Sequence, residues 1–142
     1  MSRWLLDTGP IVAYLDRRDP WHSAVAAVLD GFDGKLITTS AVVTEAMYMV
    51  RTVGDGPSVL VEFLNSARVE ICECTNVPQL SACGELMRKY SDVPMDFADA
   101  TLVLLGESLK ISEVCTLNRR GFKVFRNRTG RPLELMIEPN RL

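Results

Sequence analysis

The stretch V-P-M-D-F-A-D-A-T-L-V-L-L-G-E-S-L at residues 93–109 organises the rest of the chain. From Phe97 to Leu105 it is apolar almost all the way round, the composition of a helix buried in a core. Asp96 and Asp99 stand at its start. Three residues apart on a helix, they share one face, with Cβ atoms roughly 5–6 Å apart. Two like charges at the mouth of a buried helix are costly unless something positive lies close by. Two readings follow. In the first, Asp96 behind Pro94 is the N-cap and Asp99 its N3 partner, both served by the positive end of the helix. In the second, the pair belongs to a group of acids gathered around a cation.

The chain has 142 residues, 47% of them hydrophobic and 24% charged, which predicts one globular domain over 1–142 with a sizeable core. No apolar run approaches the ~20 residues a membrane span needs, so no membrane partner is expected. Asp7 interrupts the N-terminus too early for a signal-peptide core. Cys72, Cys74, Cys83 and Cys115 form no C-x-x-C pair, and with a single His they do not suggest zinc. They read as reduced thiols, which points to the cytoplasm. The net charge of −2 hides an asymmetry: residues 1–109 carry 8 basic and 15 acidic side chains, residues 110–142 carry 8 and 3. A basic segment on an acidic body suits a polyanionic partner, although basic termini are also common as plain solvated surface.

Working outward, Arg3–Asp7 reads as a strand ending in an acid, and Thr8-Gly9-Pro10 turns it into a helix bearing Ile11, Val12 and Leu15. A second helix runs from Pro20 to about Phe32. Lys35–Thr39 is the next strand, and Ser40 is expected to cap a helix to about Val53 that carries Glu45 in its second turn. Ser58–Ala67 and Val77–Tyr90 read as helices around a strand at Val69–Cys72. Glu113–Leu117 and Lys123–Arg126 read as late strands, with Leu133–Ile137 as an edge. Strands alternating with helices predict an α/β domain with a central, mainly parallel sheet. Ligands collect outside the carboxyl ends of such strands. Asp7, Glu45 and Asn118 all fall there, and the start of the 95–109 helix can point into the same crevice.

Each acid has a plainer role available. Asp7 could simply cap the helix that follows it, and Glu45 alone is more often a solvated helix residue. The D-T-G triplet at 7–9 suits an aspartic protease, but that fold is all-β and this chain is rich in helices. A phospho-acceptor receiver domain would need a lysine after a late strand, where Cys115-Thr116-Leu117-Asn118 offers none. Phosphate loops of the G-x-x-x-x-G-K and G-x-G-x-x-G kinds are absent. His22 has no partner acid or nucleophile nearby in sequence, a poor setting for a catalytic base.

Taken together, L-L-D-T-G-P-I-V-A-Y-L-D at 5–16, T-E at 44–45, M-D-F-A-D-A-T-L-V at 95–103 and C-T-L-N-R-R-G-F-K-V-F-R at 115–126 resemble the PIN-domain nucleases. Within that family they resemble the VapC-type toxin ribonucleases. The four motifs stand in family order and span nearly the whole chain. The resemblance implies a parallel sheet of about five strands flanked by helices, with Asp7, Glu45 and Asp99 in an acidic cluster and Asp96 as an additional carboxylate. It implies Mg²⁺- or Mn²⁺-dependent endonucleolytic cleavage of RNA, with Asp7 and Asp99 as metal ligands. It also implies a cognate antitoxin and a homodimer. Glu45 would orient the attacking water. One departure stands out: the family's T-x-D-x-x-D-F region carries acids where this chain has Asn118 and Gly121. Thr116 and Phe122 are retained, so the loss bears on a second metal more than on the fold. A catalytically silent module that binds RNA or protein is the rival expectation.

Overall fold

A computed structural model describes residues 1–137. Strand β1 (Arg3–Leu6) lies at the centre of a five-stranded sheet that also contains β2 (Lys35–Thr39), β3 (Glu70–Cys72), β4 (Glu113–Cys115) and β5 (Glu134–Leu135). The order is β3-β2-β1-β4-β5, and every neighbouring pair is parallel. Consecutive Leu5 and Leu6 are both fully buried, as expected for a parallel sheet covered on both faces. The chain builds outward to β2 and β3 on one side of β1, then returns to place β4 and β5 on the other. The crevice beyond the carboxyl ends of β1 and β4 is therefore a topological switch point.

Seven helices among the described residues make the crossovers: α1 (Thr8–Leu15), α2 (His22–Asp30), α3 (Ser40–Met49), α4 (Gly56–Ser66), α5 (Val77–Lys89), α6 (Phe97–Leu109) and α7 (Arg119–Phe122). Helix α6 is the buried one. Every residue from Ala98 to Gly106 is shielded from solvent, and the helix packs against α3, α5, β1 and β2. Gly106 makes that approach feasible, because a Cβ there would come within 2.7 Å of the Ile111 carbonyl and 2.9 Å of Leu5 Cδ1.

Two local expectations are corrected. Lys123–Arg126 is not a strand: the chain forms α7 at 119–122 and then turns, and only Arg126 makes a single antiparallel bridge, to Pro132. Phe122 and Phe125 are both fully buried with ring centroids 5.1 Å apart. That pair needs the three-residue spacing of a helical turn rather than the alternation of a strand. Helix α3 is capped by Thr39, not Ser40. The Thr39 side chain accepts the Val42 N–H at 3.3 Å, while Ser40 bonds Glu73.

Candidate functional site

Asp7 follows the last residue of the central strand, and its backbone N–H still bonds to the Cys115 carbonyl of β4 at 3.0 Å. The residue is 6% exposed. Oδ1 accepts the Thr8 N–H at 2.8 Å and Oδ2 accepts the Thr116 hydroxyl at 2.6 Å. Asp7 thus caps α1, and the first helical turn and the end of β4 hold both of its oxygens. Glu45 approaches from α3, half-buried, with Oε2 accepting the Thr8 hydroxyl at 3.2 Å. Thr8 therefore touches two acids, one through its amide and one through its hydroxyl.

Asp96 and Asp99 form a reciprocal capping box at the start of α6. The Asp99 N–H donates to Asp96 Oδ1 at 2.8 Å, and the Asp96 N–H donates to Asp99 Oδ2 at 3.2 Å. Asp96 is exposed, whereas Asp99 is 6% exposed. Capping does not remove these acids from the cluster. Burial pushes the Asp7 carboxyl up to about 6, against the pull of its two hydrogen bonds, and the charges of Asp96 and Glu45 raise it further. Asp99 is raised first by burial, then by the charges of Asp7 and Asp96. Glu45 is raised by burial and by Asp96. The charge of Asp96 thus reaches Asp7, Glu45 and Asp99, and that of Asp7 reaches Asp99.

Among the described residues, no three carboxylate, imidazole or thiol side chains already close around one point. The donor set nevertheless fits a hard divalent ion. Mg²⁺ is commonly held by one or two carboxylates and keeps several of its waters, and Asp7 and Asp99 are two buried carboxylates whose mutual repulsion a cation would relieve. Sequence reading passed over Thr8 as a site residue and noted Thr116 only within the family pattern. Their signal was adjacency: Thr8 follows Asp7, and Thr116 follows the strand beside it.

A family model described as PIN domain matches residues 4–127. The chain belongs to the PIN domain family. Ribonuclease VapC26 of Mycobacterium tuberculosis is 30% identical over 124 residues, 86% of this chain and 91% of that protein. The crystal structure of M. tuberculosis VapC20, a toxin that cleaves the sarcin–ricin loop, superposes with a TM-score of 0.70 at 17% identity, covering 80% of this chain and 87% of that one. This PIN domain accordingly has the parallel architecture expected of it.

Other sequence candidates take structural places in the PIN domain. His22 Nδ1 lies 2.8 Å from the Ala13 carbonyl, tying α2 to α1. Asn118 caps α7, with Oδ1 accepting the Gly121 N–H at 3.1 Å, while its own N–H reaches Thr116 Oγ1 at 3.0 Å. A Cβ at Gly121 would lie 2.6 Å from Asn118 Nδ2 and 2.8 Å from the Phe125 ring. An acid at 121 would therefore require the Asn118 side chain and the buried Phe125 ring to move aside. The four cysteines are free thiols, and no described helix is long and apolar enough to cross a membrane.

Proposed function

We propose that this PIN domain is a Mg²⁺- or Mn²⁺-dependent endoribonuclease, the toxin of a toxin–antitoxin pair. The observation that carries the reading is the pairing of acids around the switch point: Thr8 bonds both Asp7 and Glu45, Asp96 and Asp99 share a capping box, and buried Asp7 and Asp99 are both raised by burial and by neighbouring carboxylates. Asp7 and Asp99 would hold the ion. When bound, it supplies Lewis-acid polarisation of the scissile phosphate and activation of water. Thr116 and the Thr8 amide fix the Asp7 carboxylate, and the Thr8 hydroxyl holds Glu45, which would orient the attacking water. In-line attack by water on phosphorus breaks the P–O3′ bond, leaving a 5′-phosphate and a 3′-hydroxyl.

Arg120 and Lys123 on and after α7 are exposed and suit an RNA backbone. Part of the basic segment serves the fold instead. Arg126 Nη1 bonds three carbonyls at 2.9–3.1 Å, and Arg128 pairs with Glu107. Apolar side chains suited to an antitoxin segment or a homodimer contact are exposed on α3 and α4, namely Tyr48, Met49, Val59 and Val61. Val50, Leu60 and Phe63 from the same region are core. Light scattering on the native pair should show a dimer that co-purifies with an inhibitor. A strict monomer with no inhibitor would remove both contacts.

The deciding experiment is a Mn²⁺ titration with RNA: cleavage should appear with added ion, end in 5′-phosphate products and stop in EDTA. RNA binding without turnover across the titration would make the chain a silent module. Asp96→Asn separates capping from chemistry. Asn is as good an N-cap as Asp, so stability should change by no more than about 0.5 kcal/mol. Cleavage should fall by less than about tenfold, since Asp96 makes no direct ion contact in this reading. A complete loss equal to that of Asp99→Asn would make Asp96 a ligand.

A further inference from the structure

Beneath the carboxylates, the elements that carry them are joined by buried hydroxyls that the chemistry above leaves unused. Thr101 stands two residues after Asp99, fully buried, and its hydroxyl donates to the Ala98 carbonyl at 2.7 Å. Thr39, also fully buried, caps α3 and places its Oγ1 2.8 Å from that of Thr101. A threonine hydroxyl has a single proton. The Thr101 proton goes to Ala98, so Thr39 is the donor to Thr101, and Thr39 in turn accepts the Val42 N–H. The donors therefore run in one direction, from the first turn of the helix carrying Glu45 to the first turn of the helix carrying Asp99. Next to Thr39, the Thr38 hydroxyl donates to the Leu6 carbonyl at 2.6 Å, one residue before Asp7.

We propose that Thr39 and Thr101 are positioning residues whose hydroxyl relay fixes the start of α3 to the start of α6 and so sets the spacing of Glu45 and Asp99 for cation uptake. The proposal rests on the reading of these acids as the groups that hold the ion and its water. The relay ties these helices where Glu45 on α3 and Asp96 at the cap of α6 carry like charges that repel. Two valines would fill the same space without burying any polar atom, whereas hydroxyls are costly in a core unless bonded. What the relay adds over apolar contact is direction, since a satisfied buried network selects one arrangement of the elements it joins. An error of about 1 Å in such a constellation can cost on the order of 10² in rate.

Thr101→Val keeps the side-chain shape and leaves the Thr39 proton without an acceptor, while Thr101→Ser keeps the relay. Val103→Ala on the same helix is a core truncation with no hydroxyl, and reports what lost stability does by itself. Mn²⁺ affinity is read by calorimetry without RNA, and cleavage is separated into kcat and KM at saturating Mn²⁺. Thr101→Val should bind Mn²⁺ about tenfold more weakly and lose about tenfold in kcat, with KM for RNA within about twofold of wild type. Thr101→Ser should stay within about twofold on every measure, and Val103→Ala should melt lower with unchanged Mn²⁺ affinity. Wild-type Mn²⁺ affinity in Thr101→Val, or a Thr101→Ser protein as weak as it, overturns the relay. If Thr101→Val does not fold, Thr101→Ala removes the hydroxyl without crowding and is judged by the same outcomes. A wild-type protein that takes up Mn²⁺ but cleaves no RNA removes the ribonuclease reading and leaves the relay to stand or fall on affinity. One that takes up no Mn²⁺ overturns both.

Discussion

Asp99→Asn is expected to lose Mn²⁺-dependent RNA cleavage by about 10²-fold or more and yet to melt higher than the wild type in EDTA at pH 8. The two effects have one cause. Asp99 is buried beside Asp7 and Asp96, so its charge is unfavourable in the folded protein until a cation meets it. Asparagine removes that charge and half of the proposed ion-binding pair. The local fold is kept, because the Asn carbonyl oxygen can still accept the Asp96 N–H that Asp99 Oδ2 now accepts at 3.2 Å. Asp7→Asn should behave alike in cleavage but gain less stability. Its amide group cannot accept at both positions, and either Thr8 N–H or the Thr116 hydroxyl loses its partner. Undiminished cleavage by folded Asp99→Asn would overturn the assignment. A lower melting temperature in EDTA would show that Asp99 contributes more to the helix start than its charge costs.

The parts of the fold that were legible in the sequence are those whose signal is local. The burial of α6 was readable because apolar residues surround the whole helix, and the two strands after which Asp7 and Glu45 fall were readable from short apolar runs ending in turns. The misread segment shows the limit. Gly121, Phe122 and Phe125 follow a helical spacing, but over too few residues to outweigh the β-branched and aromatic pair Val124-Phe125, which suits a strand. At Asp96 the sequence posed a choice between cap and cluster that the fold does not make. One oxygen caps α6 while the charge reaches Asp7, Glu45 and Asp99. The hydroxyl contacts were the least legible part: adjacency to the acids and the family pattern marked Thr8 and Thr116, and nothing marked Thr39 and Thr101. The bonded partners lie 37, 62 and 109 residues apart, and a threonine in a strand or helix has no local pattern to mark it.

The same carboxylates predict that, in EDTA, the protein loses stability as pH rises from 5 to 8. Asp7 has a folded value of about 6 against an ordinary 3.8, so between those values the folded chain keeps a proton that the unfolded chain releases. Stability then falls with increasing pH, because the unfolded state binds fewer protons. The whole shift is worth on the order of 3 kcal/mol, of which about half is lost above pH 5. Asp99 is raised by burial and by its neighbours, and adds in the same direction. Glu107 is held low by its Arg128 partner and works the opposite way, but it titrates below its ordinary 4.5 and leaves the window above pH 5 to the raised acids. For a chain of this size, 1 kcal/mol corresponds to roughly 2–4 °C, so the melting temperature should drop by several degrees. Saturating Mn²⁺ should flatten or reverse the slope, since the ion binds the deprotonated acids and stabilises the folded state most where they are charged. Melting curves at pH 5, 6.5 and 8, with EDTA and with Mn²⁺, provide the check. A slope that is equally steep in Mn²⁺ would place the buried carboxylates outside any ion site. A flat or rising profile in EDTA would mean that Asp7 and Asp99 fold without the mutual cost on which the whole cluster argument depends.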